Sequence, residues 1–596
     1  MKALLDWLDH RTGCRKLLQE ALFENVPGGS RWRYVWGSTL TFTLAVQFIT
    51  GIFLWMAYNP SSQTAWESVY FIQEEMLGGW LLRGLHHYTA QAMNILLVLH
   101  LMQVVIDGAY KAPREVNFWF GIALLGLVLA LSLTGYLLPW DQKGYWATKV
   151  ATSIAAITPF IGPELQKLII GGAEYGHHTL SRFFALHAGV LPAAVIGLLV
   201  GHIYLFRRHG ITAKQPYRKP DEKFWPEQVL KDAVACLAVL AAVLFLVIRY
   251  GAELTAPADP ADNYAAARPE WYFLFLYQLL KYFPGESEII GAMIIPTLIM
   301  VLICLMPFFG RWKRGHRFNV SLLYVLLAGV ALLTWKAVQA DQANPEYLAA
   351  VRQAGKDAER VKVLARGPNG IPSAGAVTLL RNDPFTQGPK LFAKNCASCH
   401  RYDGQDGTGL VSTNAPAAAD LKDFASRAWL TRFLDPAHIA TPQCFGGTKH
   451  VEGKMVKFVQ KDVAAFSTND QVMLRKAIAA LSAESKLKSQ RDLDGRDAAL
   501  IQEGRQLIAG ETLRCTECHQ FRKKDEDATA PDLTGYGSRE WLTGIISNPK
   551  HPRFYGKRND RMQSFGEEKI LDSVAIGLLA DWLRGEWYEP AEAPVE

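Results

Sequence analysis

Seven stretches of the chain are apolar almost without interruption, at about residues 34 to 57, 80 to 104, 117 to 138, 183 to 206, 232 to 250, 287 to 309 and 318 to 340. Each is near the ~20 residues a helix needs to cross the hydrocarbon of a bilayer. In lipid a helix also pairs its backbone groups within itself, so the pattern predicts seven membrane-spanning helices. The polar segment ahead of the first run is too long and too weakly apolar for a signal peptide. Residues 1–30 are therefore read as an amphipathic segment on the membrane surface. Beyond residue 340 the long apolar runs stop. A connector over 341–384 has a charged, helix-prone first half, ANPEYLAAVRQAGKDAERVKVLA, and a turn-rich second half, GPNGIPSAG. It reads as a structured arm on the membrane surface.

Charge orients the spans. The stretches 1 to 33, 104 to 116, 207 to 231 and 311 to 317 hold about 19 Lys and Arg, against about six in the alternate loops. That asymmetry places the first set, and the N-terminus, in the cytoplasm. An odd number of spans then delivers everything after Ala340 to the exported side. Most of the formal charge of +7 sits in those cytoplasmic loops, and no basic stripe with interleaved aromatics suggests a nucleic-acid partner.

Two of the apolar runs carry paired histidines. His86 and His100 are 14 residues apart, nearly four helical turns or ~21 Å, so both rings face one side. His187 and His202 are 15 apart, which leaves them ~60° out of line, and Pro192 between them could kink the helix and realign them. One intramembrane histidine is as easily a hydrogen-bonded polar residue. Four at matched depths fit bis-histidine ligation of two stacked haems by facing helices. His87 competes as a ligand, but its offset of 13 from His100 turns it to another face.

In the exported part, four of the eight cysteines form two motifs: CASCH at Cys396, Cys399 and His400, and CTECH at Cys515, Cys518 and His519. C-x-x-C-H is the attachment sequence for a covalent c-type haem, with the histidine as axial ligand. A zinc knuckle and a redox dithiol are the alternatives. The sequence after each motif repeats: Asp420, Leu421, Ser426, Arg427 and Trp429 correspond to Asp532, Leu533, Ser538, Arg539 and Trp541, which argues for two copies of one domain. Each copy reaches a methionine before a helix-like close, Met455 and Met562, and these are the candidate distal ligands. A His/Met pair raises the reduction potential. Met473 rivals Met455 but lies on the apolar face of the closing helix. Cys14, Cys236, Cys304 and Cys444 have no partner at motif spacing and read as small apolar residues or free thiols.

The histidine spacings, the stretch GYLLPWDQKGYWATK from Gly135 to Lys149, and PEWY at 269–272 within ADNYAAARPEWYFLFLYQLLKYFP make residues 25 to 340 or so resemble cytochrome b of the Rieske/cytochrome b (cytochrome bc) complexes. The resemblance is nearest to the chloroplast type, where a four-helix cytochrome b and a three-helix subunit IV are separate. Here both are joined in one chain, followed by two modules similar to class I cytochromes c. The fold expected is all-α: a seven-helix haem-binding membrane bundle and two small helical cytochrome c domains. The boundaries read as 31–215 for the four-helix part, 216–340 for the subunit IV-like part, and 385–484 and 485–596 for the c domains.

The resemblance implies roles. His86 and His187 would hold the low-potential b haem, and His100 and His202 the high-potential one. Gly37, Gly51, Gly121 and Gly135 would be the helix glycines that let the porphyrin approach, and Arg83 would neutralise a propionate. Glu270, flanked by Pro269, Trp271 and Tyr272, would take a proton from quinol in a pocket lined also by Tyr136. Arg207 and Asp232 would contact a second quinone on the cytoplasmic side, although charges at helix ends near headgroups have a plain structural reading too. Val35 stands where the chloroplast type attaches an additional haem through cysteine, so no covalent haem is expected there. The cofactors implied are two b haems, two c haems and quinone.

The expected activity is that of a quinol–cytochrome c oxidoreductase subunit working by a Q-cycle in a bacterial cytoplasmic membrane and storing energy as a proton gradient. A Rieske iron–sulfur protein would be a separate partner, since no paired Cys-x-His segments occur here. A cytochrome c or oxidase would accept the electrons, and the complex would be dimeric. The alternative is a non-bifurcating quinone reductase carrying electrons inward from periplasmic c haems.

Overall fold

The computed structural model describes residues 2–212, 220–411, 414–525, 527–559 and 561–590. Three basic residues of the charge argument, Lys214, Arg218 and Lys219, lie outside these, as does the expected boundary at 215/216. The described chain is helical almost throughout. Among the described residues its one sheet pairs Asn25–Val26 antiparallel with Glu222–Lys223. It forms two compact units, one of residues 1–362 and 371–377, the other of 363–370 and 378–596.

Seven helices of the first unit are long and apolar enough to cross a membrane: Trp32–Ala57, Gly79–Asp107, Glu115–Tyr136, His177–His209, Phe224–Tyr250, Gly285–Cys304 and Lys313–Gln342. They match the seven apolar runs. The first span packs on the second and the third on the fourth, while the fifth covers the first two. The seventh packs on the second and on the short helix Leu274–Leu280. The N-terminal segment is two helices, Lys2–Thr12 and Cys14–Leu22, broken at Gly13, whose φ of 63° is left-handed. The first half of the connector is the helix Pro345–Ala365.

The fourth span solves the 15-residue spacing in its own way. Leu186–Val190, which contains His187, is a π-helical turn directly ahead of Pro192. A π turn takes up one extra residue, so 15 residues advance the helix as 14 do elsewhere. The proline contributes by having no N–H to close the regular ladder beneath it.

The second unit holds both C-x-x-C-H motifs. Its helices begin at matching caps: the hydroxyl of Ser426 accepts from the Trp429 N–H at 3.0 Å and that of Ser538 from the Trp541 N–H at 3.2 Å. The indole N–H of Trp429 donates to the Asp420 carbonyl at 3.0 Å, and that of Trp541 to the Asp532 carbonyl at 2.9 Å. The sequence repeat is thus a repeat of local structure.

Candidate haem and quinol sites

The second span, packed on the first, and the fourth, packed on the third, hold the four histidines in two facing pairs. The ring centroids of His86 and His187 are 6.3 Å apart with planes at 74°, and those of His100 and His202 are 6.5 Å apart at 79°. An imidazole nitrogen sits about 2 Å from a bound metal, and the ring centre lies about 1.1 Å behind it, so two imidazoles on opposite sides of one iron have centroids about 6.2 Å apart. Both pairs fit. Among the described residues no group of three or more His, Cys, Asp or Glu could hold a bare metal ion. A pair of axial ligands suits an iron whose other four positions a porphyrin fills.

The ring nitrogens are pre-set. Nδ1 of His86 pairs with the Thr50 hydroxyl at 2.9 Å, Nδ1 of His187 with the Leu131 carbonyl at 3.1 Å, and Nδ1 of His202 with the Asn117 carbonyl at 3.0 Å. Holding Nδ1 leaves Nε2 to face the iron. Nδ1 of His100 has no such partner among the described residues. The four glycines each lie against one of these rings. A Cβ would come within 3.8 Å of His100 at Gly37, 3.3 Å of His86 at Gly51, 3.4 Å of His202 at Gly121 and 2.5 Å of His187 at Gly135. At each of the four positions the missing Cβ leaves room for an imidazole ring.

Arg83 is tied to the loop after the fifth span, donating to the carbonyls of Ala252 and Glu253 at 3.0 and 2.6 Å and to Gln73. His87 faces Gln91 at 2.8 Å, away from the pairs, and Gln91 in turn accepts from the Trp271 indole at 3.2 Å. Val35 is buried at the start of the first span.

Two loops meet beside these histidines. Asp141 caps the helix Gln142–Ala156 through the Gly144 N–H at 2.9 Å and accepts from the Thr255 N–H at 3.1 Å. Backbone bonds from Gln142 N–H to the Ala256 carbonyl and from Ala258 N–H to the Trp140 carbonyl continue the seam. On this seam Lys143 donates to Glu270 at 3.3 Å and to Glu253 at 2.9 Å. Glu270 is 12% exposed and Glu253 is 61% exposed, so the lysine joins a sheltered carboxylate to an open one. Burial alone would lower the Lys143 pKa, but Glu270 and Glu253 outweigh it and hold it above the ordinary lysine value. Tyr136 lies under the same ammonium, and its buried hydroxyl has no hydrogen-bond partner among the described residues.

Arg268 fixes the other end of the PEWY loop. Its guanidinium makes bonds of 2.7 to 3.0 Å with both oxygens of Asp341, at the end of the seventh span, between the rings of Tyr277 and Tyr347. Sequence reasoning passed over Lys143, Glu253, Arg268 and Asp341. A charge in PWDQK and another just before PEWY were the available signals.

Of the two candidate residues for the second quinone, Arg207 pairs with Glu24 at 3.4 Å, and Asp232 accepts from Ser38 at 2.7 Å and Gln228 at 2.8 Å. They do not touch one another. Arg207 leans on the segment before the first span, and Asp232 on that span itself.

In the second unit, Nδ1 of His400 faces the Ala419 carbonyl at 2.9 Å and Nδ1 of His519 the Pro531 carbonyl at 2.8 Å, leaving Nε2 free in each. Burial lowers the pKa of both, which favours the neutral, ligating imidazole. Burial raises Cys396 to about 12 and Cys515 to about 11. Met455 packs with the Val456 and Val459 cluster, and Met562 against Phe565 and its neighbours. Both methionines precede a phenylalanine by three residues, Phe458 and Phe565.

Comparison with known proteins gives the family. Residues 91–265 match the model of the cytochrome b N-terminal (b6/petB) family and residues 257–354 that of the cytochrome b C-terminal (b6/petD) family. The cytochrome b subunit of menaquinol:cytochrome c reductase from Geobacillus thermodenitrificans is 40% identical over 220 residues, 36% of this chain and 98% of that one. The chain belongs to the cytochrome b family. Within that family, the cytochrome b subunit of the cytochrome bc complex of Chlorobaculum thiosulfatiphilum is 33% identical over 353 residues, covering 58% of this chain and 79% of its own length. A solved structure titled hyperthermophilic respiratory Complex III superposes with a TM-score of 0.50 at 26% identity, over 58% of this cytochrome b chain and 93% of the other. A cytochrome c family match over residues 385–471 makes the chain a cytochrome b/c fusion.

Proposed function

We propose that this chain is the b/c subunit of a bc-type quinol:cytochrome c reductase that oxidises quinol beside Glu270 on the exported side. The observation that carries this is the sheltered Glu270 carboxylate on the seam between the 140–144 and 252–270 loops, held by Lys143, which lies over Tyr136, the residue after the Gly135 that packs on His187. Bound at the four histidines and the two C-x-x-C-H motifs, haems supply one-electron transfer across and outside the membrane. The chain's own residues bind and orient quinol and move its protons. The unsatisfied Tyr136 hydroxyl is the kind of group a quinol oxygen completes. Glu270 takes a proton from the other quinol oxygen, and Lys143, bonded to both carboxylates, holds the exposed Glu253 beside it as the way out for that proton. Pro269, Trp271 and Tyr272 shape the pocket around it.

On this reading His86 with His187 would hold a low-potential b haem and His100 with His202 a high-potential one, and Arg207 and Asp232 would flank a second quinone near the cytoplasm. A separate Rieske protein would receive one electron from quinol, and haems held by the two histidine pairs would supply a path inward for the other, in a dimeric complex. The test is to add oxidant to purified complex in the presence of quinol while following b and c absorbances separately. Bifurcated oxidation makes the b signal more reduced as the c signal oxidises, whereas joint oxidation sinks the reading. In Glu270→Gln the same transient slows by about 10²- to 10⁴-fold, with unchanged haem content.

A further inference from the structure

The second unit pairs its helices across the two repeats. Pro384–Asn395, which leads into Cys396, packs on Ser573–Leu583, the closing helix of the other copy. Thr468–Glu484, the closing helix of the first copy, packs on Ala498–Ala509, which leads into Cys515. The pairing thus crosses the boundary at 484/485 drawn from the sequence. The contacts are intimate at both crossings. A Cβ on Gly388 would fall inside the Trp582 indole, and one on Gly504 would strike the Lys476 carbonyl and Ala480. Tyr402, two residues beyond His400, stacks on Trp582 with centroids 4.2 Å apart.

The point of exchange is visible. Ala425 and Gly537 occupy the same place in the repeat, directly before Ser426 and Ser538, and both are left-handed, with φ of 63° and 71°. Side by side, they leave no room for a Cβ on Gly537. Their preceding rings, Phe424 and Tyr536, also touch, at 5.3 Å between centroids. Equivalent residues meet one another only at a two-fold axis. A local two-fold that passes through the segment joining the halves of each copy is the geometry of a domain swap, here within one chain.

We propose that the two c-haem sites are interlaced: His400 is completed by Met562 of the second copy, and His519 by Met455 of the first. This rests on the reading of both C-x-x-C-H motifs as haem sites. The packing supports it. Cys396, Ala397 and Leu421 line the same core as Met562 and Phe565. Cys515 lines the core containing Phe466 and Leu474, and these two also pack on the Met455 cluster. Arg514, next to Cys515, pairs with Asp462 of the first copy at 2.9 Å. The exchange also shortens a connection. Only residues 485–497, with the short helix Arg491–Arg496, separate Thr468–Glu484 from Ala498–Ala509, so pairing them closes a short loop at little entropic cost. Tandem modules folded separately would leave that pairing unused.

The test leaves one c haem in the full-length protein by replacing Cys515 and Cys518 with alanine, then adds Met562→Ala or Met455→Ala. The methionine–iron charge-transfer absorbance of the remaining haem is expected to vanish, and its midpoint potential to fall, with Met562→Ala and to persist with Met455→Ala. The reverse result overturns the exchange while leaving the haem reading intact. Loss in neither variant overturns methionine ligation, and the proposal with it. Should the cysteine variants fail to fold, cross-linking mass spectrometry of the unaltered complex decides. Peptides joining 384–395 to 573–590 support the exchange, and peptides joining 384–395 to 468–484 overturn it.

Discussion

Four glycines and four histidines set the terms at the residue scale, and they are not equally tight. A Cβ at Gly135 would lie 2.5 Å from Cε1 of His187, closer than real Cβ atoms come, and that ring is also held by Leu131 and approached by Thr134 at 3.2 Å. The ring cannot yield without turning Nε2 away from the iron position. At Gly37 the corresponding distance to His100 is 3.8 Å, ordinary contact. On the proposed reading of two b haems per chain, Gly135→Ala is therefore expected to cut the b-haem content of the purified protein toward one, an overpacking cost of about 1–3 kcal/mol at the ligand. Gly37→Ala should retain both. A pyridine haemochrome assay of the two variants checks this, and equal b-haem content in both would show that the glycines do not act through the imidazoles.

At the scale of elements, the PEWY loop is held at two ends by charges from distant parts of the chain. Lys143 reaches Glu270 from one side and Arg268 reaches Asp341 from the other. Removing Asp341 leaves a half-buried guanidinium between two tyrosine rings. Asp341→Asn should lower the stability of the loop by about 2 kcal/mol. The expected readout is a raised KM for quinol and faster amide exchange over residues 264–272, with b and c spectra unchanged. An unchanged KM would mean that the rings of Tyr277 and Tyr347 suffice. The raised Lys143 pKa gives a sign for pH. A lysine held above its ordinary value keeps its bridges fully below that value and loses them only as pH climbs through the raised one, so the Lys143 bridges stay intact through the neutral range.

These contacts also show what could be read from one dimension. Apolar runs located all seven spans because a bilayer imposes its thickness on each span separately. His86, His100, His187 and His202 were legible because a helix turns spacing into direction. Lys143 and Arg268 were not, because a charge in a loop acquires meaning only from a partner more than 70 residues away. The π turn at Leu186–Val190 lay between these cases: Pro192 flagged a disturbance, but an inserted residue and a kink leave the same trace in the sequence. The repeat in the c region predicted each half-domain well and said nothing of which halves pair, since both copies present the same faces.

For the whole molecule, the decisive feature is that the candidate spans among the described residues number seven, which is odd. On the proposed orientation, with Arg and Lys concentrated in the segments before the first span and after the second, fourth and sixth, the N-terminus would face the cytoplasm and the helix Pro345–Ala365 would follow on the other side. Between that helix and Val377–Arg381 lies the turn-rich segment 366–376, a candidate site for proteolysis. Protease added to right-side-out spheroplasts should release a haem-staining fragment that carries both C-x-x-C-H motifs in one piece, because both lie beyond residue 376. A tag before Met1 should stay protected until the membrane is opened. A tag that is cut from outside would require an even number of spans or the reverse orientation, and would place the c-type motifs in a compartment where their thiols, the Rieske partner and an exported-side Glu270 no longer belong together.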